Sequence, residues 1–167
     1  MGDIGHLFGT DSDFETLKND YYKNYKNLDN IYYAEKYIDA LYELVLEEEI
    51  DIELVLPEME KASKSFPFSE LIAEAYSYTL IPYDLPKEIA TKHANKIAKI
   101  HREFPNSEEI ADNYLGALFC LTDTQSAHEI ANSVAIGKLL SESYPNNEEI
   151  AFSYRLLREE FEEKIKD

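Results

Sequence analysis

Residues 104–114 read FPNSEEIADNY, and the pattern returns at 66–76 as FPFSELIAEAY and at 144–154 as YPNNEEIAFSY. Without gaps, the copies share an aromatic, Pro, a free position, Ser or Asn, Glu, a free position, Ile, Ala, two free positions and Tyr. The intervals between copies are 38 and 40 residues. A fainter copy precedes them by 39 residues: it keeps Asn30, Ala34 and Tyr37 but has Leu28 in place of Pro. Self-similarity at this period marks a repeat architecture.

Each column has a physical reason. Asn30, Ser69, Ser107 and Asn147 are N-cap residue types, whose side-chain oxygens accept from unpaired first-turn amides. The Pro two residues earlier stops the preceding helix. Glu70, Glu108, Glu109, Glu148 and Glu149 then fall where the helix dipole favours negative charge. Ile and Tyr, four apart, share one face with a small Ala for close packing. The motif therefore starts a helix and aims it, which is a structural task.

Working outward, a second helix separates successive motifs. Residues 86–103 carry Ile89, His93, Ile97, Ile100 and Phe104 at helical spacing. Residues 126–143 open on the capping box Ser126…Glu129. In residues 51–65, Pro57 leaves two possibilities: a kinked helix or one that starts near Pro57. Ser12…Glu15 is a further capping box ahead of Phe14, Leu17, Tyr21, Tyr25 and Leu28. The expected helices are 13–27, 31–49, 51–65, 70–81, 86–103, 108–121, 126–143 and 148–165, with no convincing strand.

Helix pairs at this period predict an all-α chain, a right-handed solenoid of antiparallel helix pairs with about eight helices. Residues 1–12 are expected to form a flexible N-terminus and 13–167 a single domain, its repeats starting near 30, 69, 107 and 147. The last repeat is a single capping helix, with Ile150, Tyr154, Leu157, Phe161 and Ile165 inward and Glu159, Glu160, Glu162 and Glu163 outward.

Over residues 30–165 the chain resembles the tetratricopeptide-repeat (TPR-like) superfamily. Ile-Ala-x-x-Tyr is similar to that family's Leu-Gly-x-x-Tyr, and the Phe-Pro-Asn-Ser and Tyr-Pro-Asn-Asn junctions are similar to its Pro-containing turn. The period exceeds the family's usual length of roughly 34 residues, and HEAT-type repeats have a comparable one. The resemblance implies a concave surface that binds a protein or peptide.

The charge of the 167-residue chain is −18, from 34 acids against 16 bases. This disfavours direct nucleic-acid or anionic-membrane binding, which needs Lys and Arg. Residues 1–65 hold 16 acids and 6 bases, a net of −10, and residues 66–103 hold 5 of each. The bases Lys87, Lys92, Lys96, Lys99 and Arg102 are expected to pair with acidic neighbours in adjacent repeats, the alternative being a specific anion site. Glu47, Glu48, Glu49, Asp51 and Glu53 form the densest acidic run, either a solvated helix end or a surface that steers a basic partner. Seven of the thirteen Tyr fall within residues 21–42. Tyr22, Tyr32 and Tyr42 lie off the face made by Tyr33, Tyr37, Leu41 and Leu44. They are candidate interface anchors, or else part of a second packing stripe with Ile31, Ile38 and Val45.

Cys120 is the single cysteine, expected to be a buried and inert thiol. His93 and His101 stand two turns apart, too far to clamp one metal, and His93 suits a satisfied core position. No His-Glu-x-x-His motif, phosphate-binding Gly-rich loop or nucleophile elbow occurs. No signal peptide and no apolar run long enough to span a membrane is found, so a cytoplasmic location is the default. The expectation is a non-catalytic module, without cofactor or metal, that binds a basic protein or peptide through Tyr22, Tyr32, Tyr42, Glu47, Glu48, Glu49, Asp51 and Glu53. The alternative is an acidic inhibitor or immunity protein, a nucleic-acid mimic that blocks a nuclease, toxin or nucleic-acid-binding protein.

Overall fold

The computed structural model describes residues 14–24, 30–47 and 50–166. Among these the chain is all-helical, with eight α-helices and no strand. They are α1 (Phe14–Asn24), α2 (Ile31–Leu46), α3 (Ile52–Ser65), α4 (Glu70–Thr79), α5 (Lys87–Glu103), α6 (Glu108–Cys120), α7 (Ala127–Ser143) and α8 (Glu148–Lys164). The packing falls into two compact units, one running to Thr79 and one starting at Leu80.

The three motif junctions share one geometry. Phe66, Phe104 and Tyr144 close their helices at φ −129°, −124° and −123°, each donating its amide to the carbonyl four residues back. The caps follow: Ser69 and Ser107 Oγ accept from the amides of Ile72 and Ile110 at 3.2 Å, and Asn147 Oδ1 accepts from Ile150 at 2.9 Å. Each such cap contributes about 1 kcal/mol. Asn30 caps α2 through the Tyr32 amide, a shorter reach than in the full motifs.

In the first unit, α1 packs on α2, α2 on α3 and α4, and α3 on α4. The stripes proposed for α2 are used in part: Tyr37 and Leu41 are buried, and so are Ile38 and Val45, whereas Ile31 is exposed. Asp51 caps α3 through the amide of Glu53, and the helix continues through Pro57 to Ser65. The choice left open by Pro57 is thereby resolved: the cap fixes the start upstream, and the missing Pro amide costs one bond without ending the helix. Helix α4 stops at Thr79, earlier than its expected end at 81, because Pro82 bars Ile81 from the helical region. Likewise α2 ends at Leu46, with Glu47 as its C-cap. Ser12 of the first capping box lies outside the described residues, as do 25–29.

In the second unit α5 packs on α6, and α8 packs on both α6 and α7. Ala111, Leu115, Leu118, Leu140, Ile150 and Leu157 form its core. Fully burying one such aliphatic side chain contributes about 1.5–3 kcal/mol. The motif Ile is fully buried in every complete copy (Ile72, Ile110, Ile150), whereas the motif Ala of the last copy, Ala151, is exposed. The α7 capping box is complete: Glu129 Oε2 accepts from the Ser126 amide at 2.7 Å, and Lys87 adds an ion pair at 3.2 Å. The Ser126 amide and hydroxyl, then Lys87, hold the Glu129 carboxyl down at about 2. Contacts one period apart tie the motifs together, Asn147 Nδ2 to Glu108 at 2.7 Å and Ser153 Oγ to Asp112 at 2.9 Å.

Candidate functional site

The first unit contains an open cleft of about 170 Å³, lined by Tyr21, Tyr22, Tyr37, Glu58, Lys61 and Phe66 among others. Helix α1 brings Tyr21 and Tyr22, α2 brings Tyr37, and α3 brings Glu58 and Lys61, one turn apart. Tyr21 and Tyr37 stack with ring centroids 4.4 Å apart and planes 4° from parallel. Tyr22 stands across both, at 79° and 76°.

Glu58 is the polar centre of the cleft, its side chain only 11% exposed. It accepts from the Tyr22 hydroxyl at 2.6 Å and more weakly from Tyr37 at 3.4 Å, and it pairs with Lys18 at 3.6 Å. The Lys61 ammonium donates to Tyr22 Oη at 2.6 Å and lies 4.3 Å from the centroid of that ring. Burial, then the neighbouring Glu58 carboxylate, pushes the Tyr22 and Tyr37 hydroxyls above the usual tyrosine range. At neutral pH both are protonated donors, and neither is a phenolate base or nucleophile. The cleft presents ring faces, two hydroxyls and one carboxylate.

The structure separates the candidate residues named from the sequence. Tyr22, expected off the packing face, is half-buried in the cleft, because its hydroxyl reaches Glu58 across the α1–α3 contact. Tyr32 is exposed at the start of α2, its ring beside Lys36. Tyr42 is half-buried, edge-on to Tyr78 with ring centroids 5.2 Å apart. Glu47, Asp51 and Glu53 are exposed around the α2–α3 connection, while Glu48 and Glu49 lie outside the described residues. Leu46, 45% exposed, and Leu54, 56% exposed, bracket this acidic run.

Sequence reasoning passed over Glu58, Lys61, Leu46 and Leu54, which carry no motif. It also passed over Phe68, the most exposed large apolar residue described, at 91%. A signal for Phe68 was present: the other two complete motifs have Asn106 and Asn146 at its position.

Elsewhere, His93 Nδ1 lies 3.1 Å from the Leu80 carbonyl, as suits a satisfied core histidine. Burial lowers its pKa and that of His101, and the buried Nε2 of His101 has no hydrogen-bond partner. Cys120 is half-buried, and burial pushes its thiol up, away from reactivity. Lys87 pairs with Glu129 of α7, and Lys99 pairs with Glu103 of its own helix. Among the described residues no three His, Cys, Asp or Glu side chains are grouped to hold a metal ion. No described helix is long and apolar enough to cross a membrane.

No family model, curated protein or solved structure matches this chain.

Proposed function

We propose that this chain is a non-catalytic, TPR-like interaction module, a right-handed helical solenoid acting in the cytoplasm that binds a protein or peptide with a basic surface. The observation that carries this reading is the α2–α3 connection, where exposed Leu46 and Leu54 flank exposed Glu47, Asp51 and Glu53. Exposed apolar anchors beside charged residues are the composition of a docking surface. The acids steer a basic partner to the site and the leucines hold it there. Tyr32, also exposed, stands at the opposite end of α2 and offers a separate aromatic anchor.

A second reading is favoured by the total charge of −18 and by the exposed Glu159, Glu162 and Glu163 on α8. In it the chain is an acidic inhibitor or immunity protein that blocks a nuclease, toxin or nucleic-acid-binding protein as a nucleic-acid mimic. Affinity capture from native lysate at low salt, followed by a high-salt wash, separates the two. The module reading predicts a basic protein whose capture depends on Leu46 and Leu54 and partly survives the wash. It also predicts loss of capture when Glu47, Glu48, Glu49 and Glu53 become Gln and Asp51 becomes Asn, which keeps the cap oxygen. Complete release by salt of a nuclease or nucleic-acid-binding protein, unaffected by Leu46→Ala and Leu54→Ala, would replace it with the inhibitor reading.

A further inference from the structure

We infer that the Tyr21–Tyr22–Tyr37–Glu58 cleft receives the guanidinium of an arginine side chain from the basic partner, and that Lys61 is an internal occupant which that arginine displaces. The inference rests on the reading of a basic partner and adds a second point of attachment, distinct from the acidic α2–α3 connection. Three observations carry it.

First, the chain already places a cation there: the Lys61 ammonium lies 4.3 Å from the Tyr22 ring centroid and Lys18 pairs with Glu58. A tyrosine face attracts positive charge through its quadrupole, and a neighbouring carboxylate reinforces that attraction. Second, the fixed and mobile parts are divided in the way exchange requires. Tyr37 is buried and Glu58 nearly so, whereas Lys61 is an exposed residue on a flexible stem and Lys18 is only partly covered. Third, the cavity of about 170 Å³ has room for more than one water molecule, and so for a planar side-chain head.

Arginine suits the site better than lysine. Its planar head can donate to Glu58 Oε1, the oxygen that neither tyrosine uses, while stacking on a Tyr ring, which an ammonium cannot do. Glu58 has acceptor capacity beyond the donors it already holds. Across residues 14–24, 30–47 and 50–65 the 10 acids outnumber the 5 bases, which favours the approach of a cation over that of an anion. Displaced Lys61 exchanges its Tyr22 contacts for water at the rim, where the residue is already exposed.

The test is an NMR titration of the full chain with n-butylguanidinium chloride, following the Tyr21, Tyr22 and Tyr37 ring signals against sodium chloride of equal ionic strength. The three signals should move together and saturate. Lys61→Met, which removes the internal competitor, should tighten binding by about threefold. Glu58→Gln should weaken it by about tenfold. Since Glu58→Gln also loosens α1, its thermal transition is recorded alongside, and the gain in Lys61→Met stands as an independent criterion. Ring signals that stay still in Lys61→Met, or that respond to acetate or phosphate and not to butylguanidinium, would overturn the inference. Capture that depends on the acidic run would be untouched by that failure.

Discussion

The hydroxyl of Tyr144 donates to the carbonyl of Pro105 across 2.6 Å, joining two motif junctions 39 residues apart. The aromatic that ends one helix thus fastens itself to the proline turn of the preceding repeat. Tyr144→Phe keeps the ring and deletes this bond together with the weaker one to the Ser107 carbonyl at 3.5 Å, so the chain should lose about 1 kcal/mol in urea denaturation. An unchanged midpoint would mean that water replaces the bond without loss.

Ser69 and Ser107 cap equivalent helices, but Ser69 Oγ also donates to Glu35 at 2.7 Å. The ordinary value of a lost cap is about 1 kcal/mol. Ser69→Ala should cost about 2 kcal/mol, because it also strips a charge-assisted bond from a buried position. A loss of about 1 kcal/mol for Ser69→Ala, measured by denaturation, would show that the Glu35 bond adds nothing.

Two glycines lie within helices and should respond oppositely to Ala. At Gly116 a Cβ would meet only Ile81 Cδ1, at 3.7 Å, so helix propensity should prevail and raise stability by about 0.5–1 kcal/mol. At Gly137 the new Cβ would lie 3.0 Å from Tyr154 Cδ2 and 3.4 Å from Leu115 and Leu157, both fully buried. Overpacking against side chains that cannot retreat should outweigh propensity and cost about 1–3 kcal/mol. Thermal unfolding of the two variants checks both signs.

His93 and His101 have folded-state pKa values lowered from 6.5, chiefly by burial. The unfolded chain therefore binds more protons just below pH 6.5, and stability falls as the pH drops through that region. The contribution is fully present above the unfolded value. His101→Leu removes both the titration and the unpartnered buried nitrogen. Urea midpoints from pH 7.5 to pH 5 should decline less steeply in His101→Leu than in the parent chain, and parallel curves would contradict the assignment.

The helices were legible because their signals are local. A cap such as Ser107 and a stop such as Pro105 act through bonds to residues a few positions away, and the Ile110 column needs only helical spacing. The end of α4 was misjudged by two residues because the apolar pattern through Ile81 outweighed the restriction from Pro82. The cleft was not legible. Glu58 and Lys61 lie on an ordinary polar stretch of α3, and their importance comes from Tyr22, which tertiary packing brings to them from 36 and 39 residues away. Exposure of Leu46 and Leu54 was equally hidden, since a leucine at a helix end has the same sequence signal whether it packs or faces water.

The central claim is that a partner docks on the acidic, leucine-flanked connection between α2 and α3. Hydrogen–deuterium exchange of the full chain, with and without the captured basic protein, tests it most directly. The account predicts slowed exchange in residues 42–54 on binding, lost again when the five acids of that run are neutralised. Protection confined to residues 148–166, with 42–54 unchanged, would contradict it.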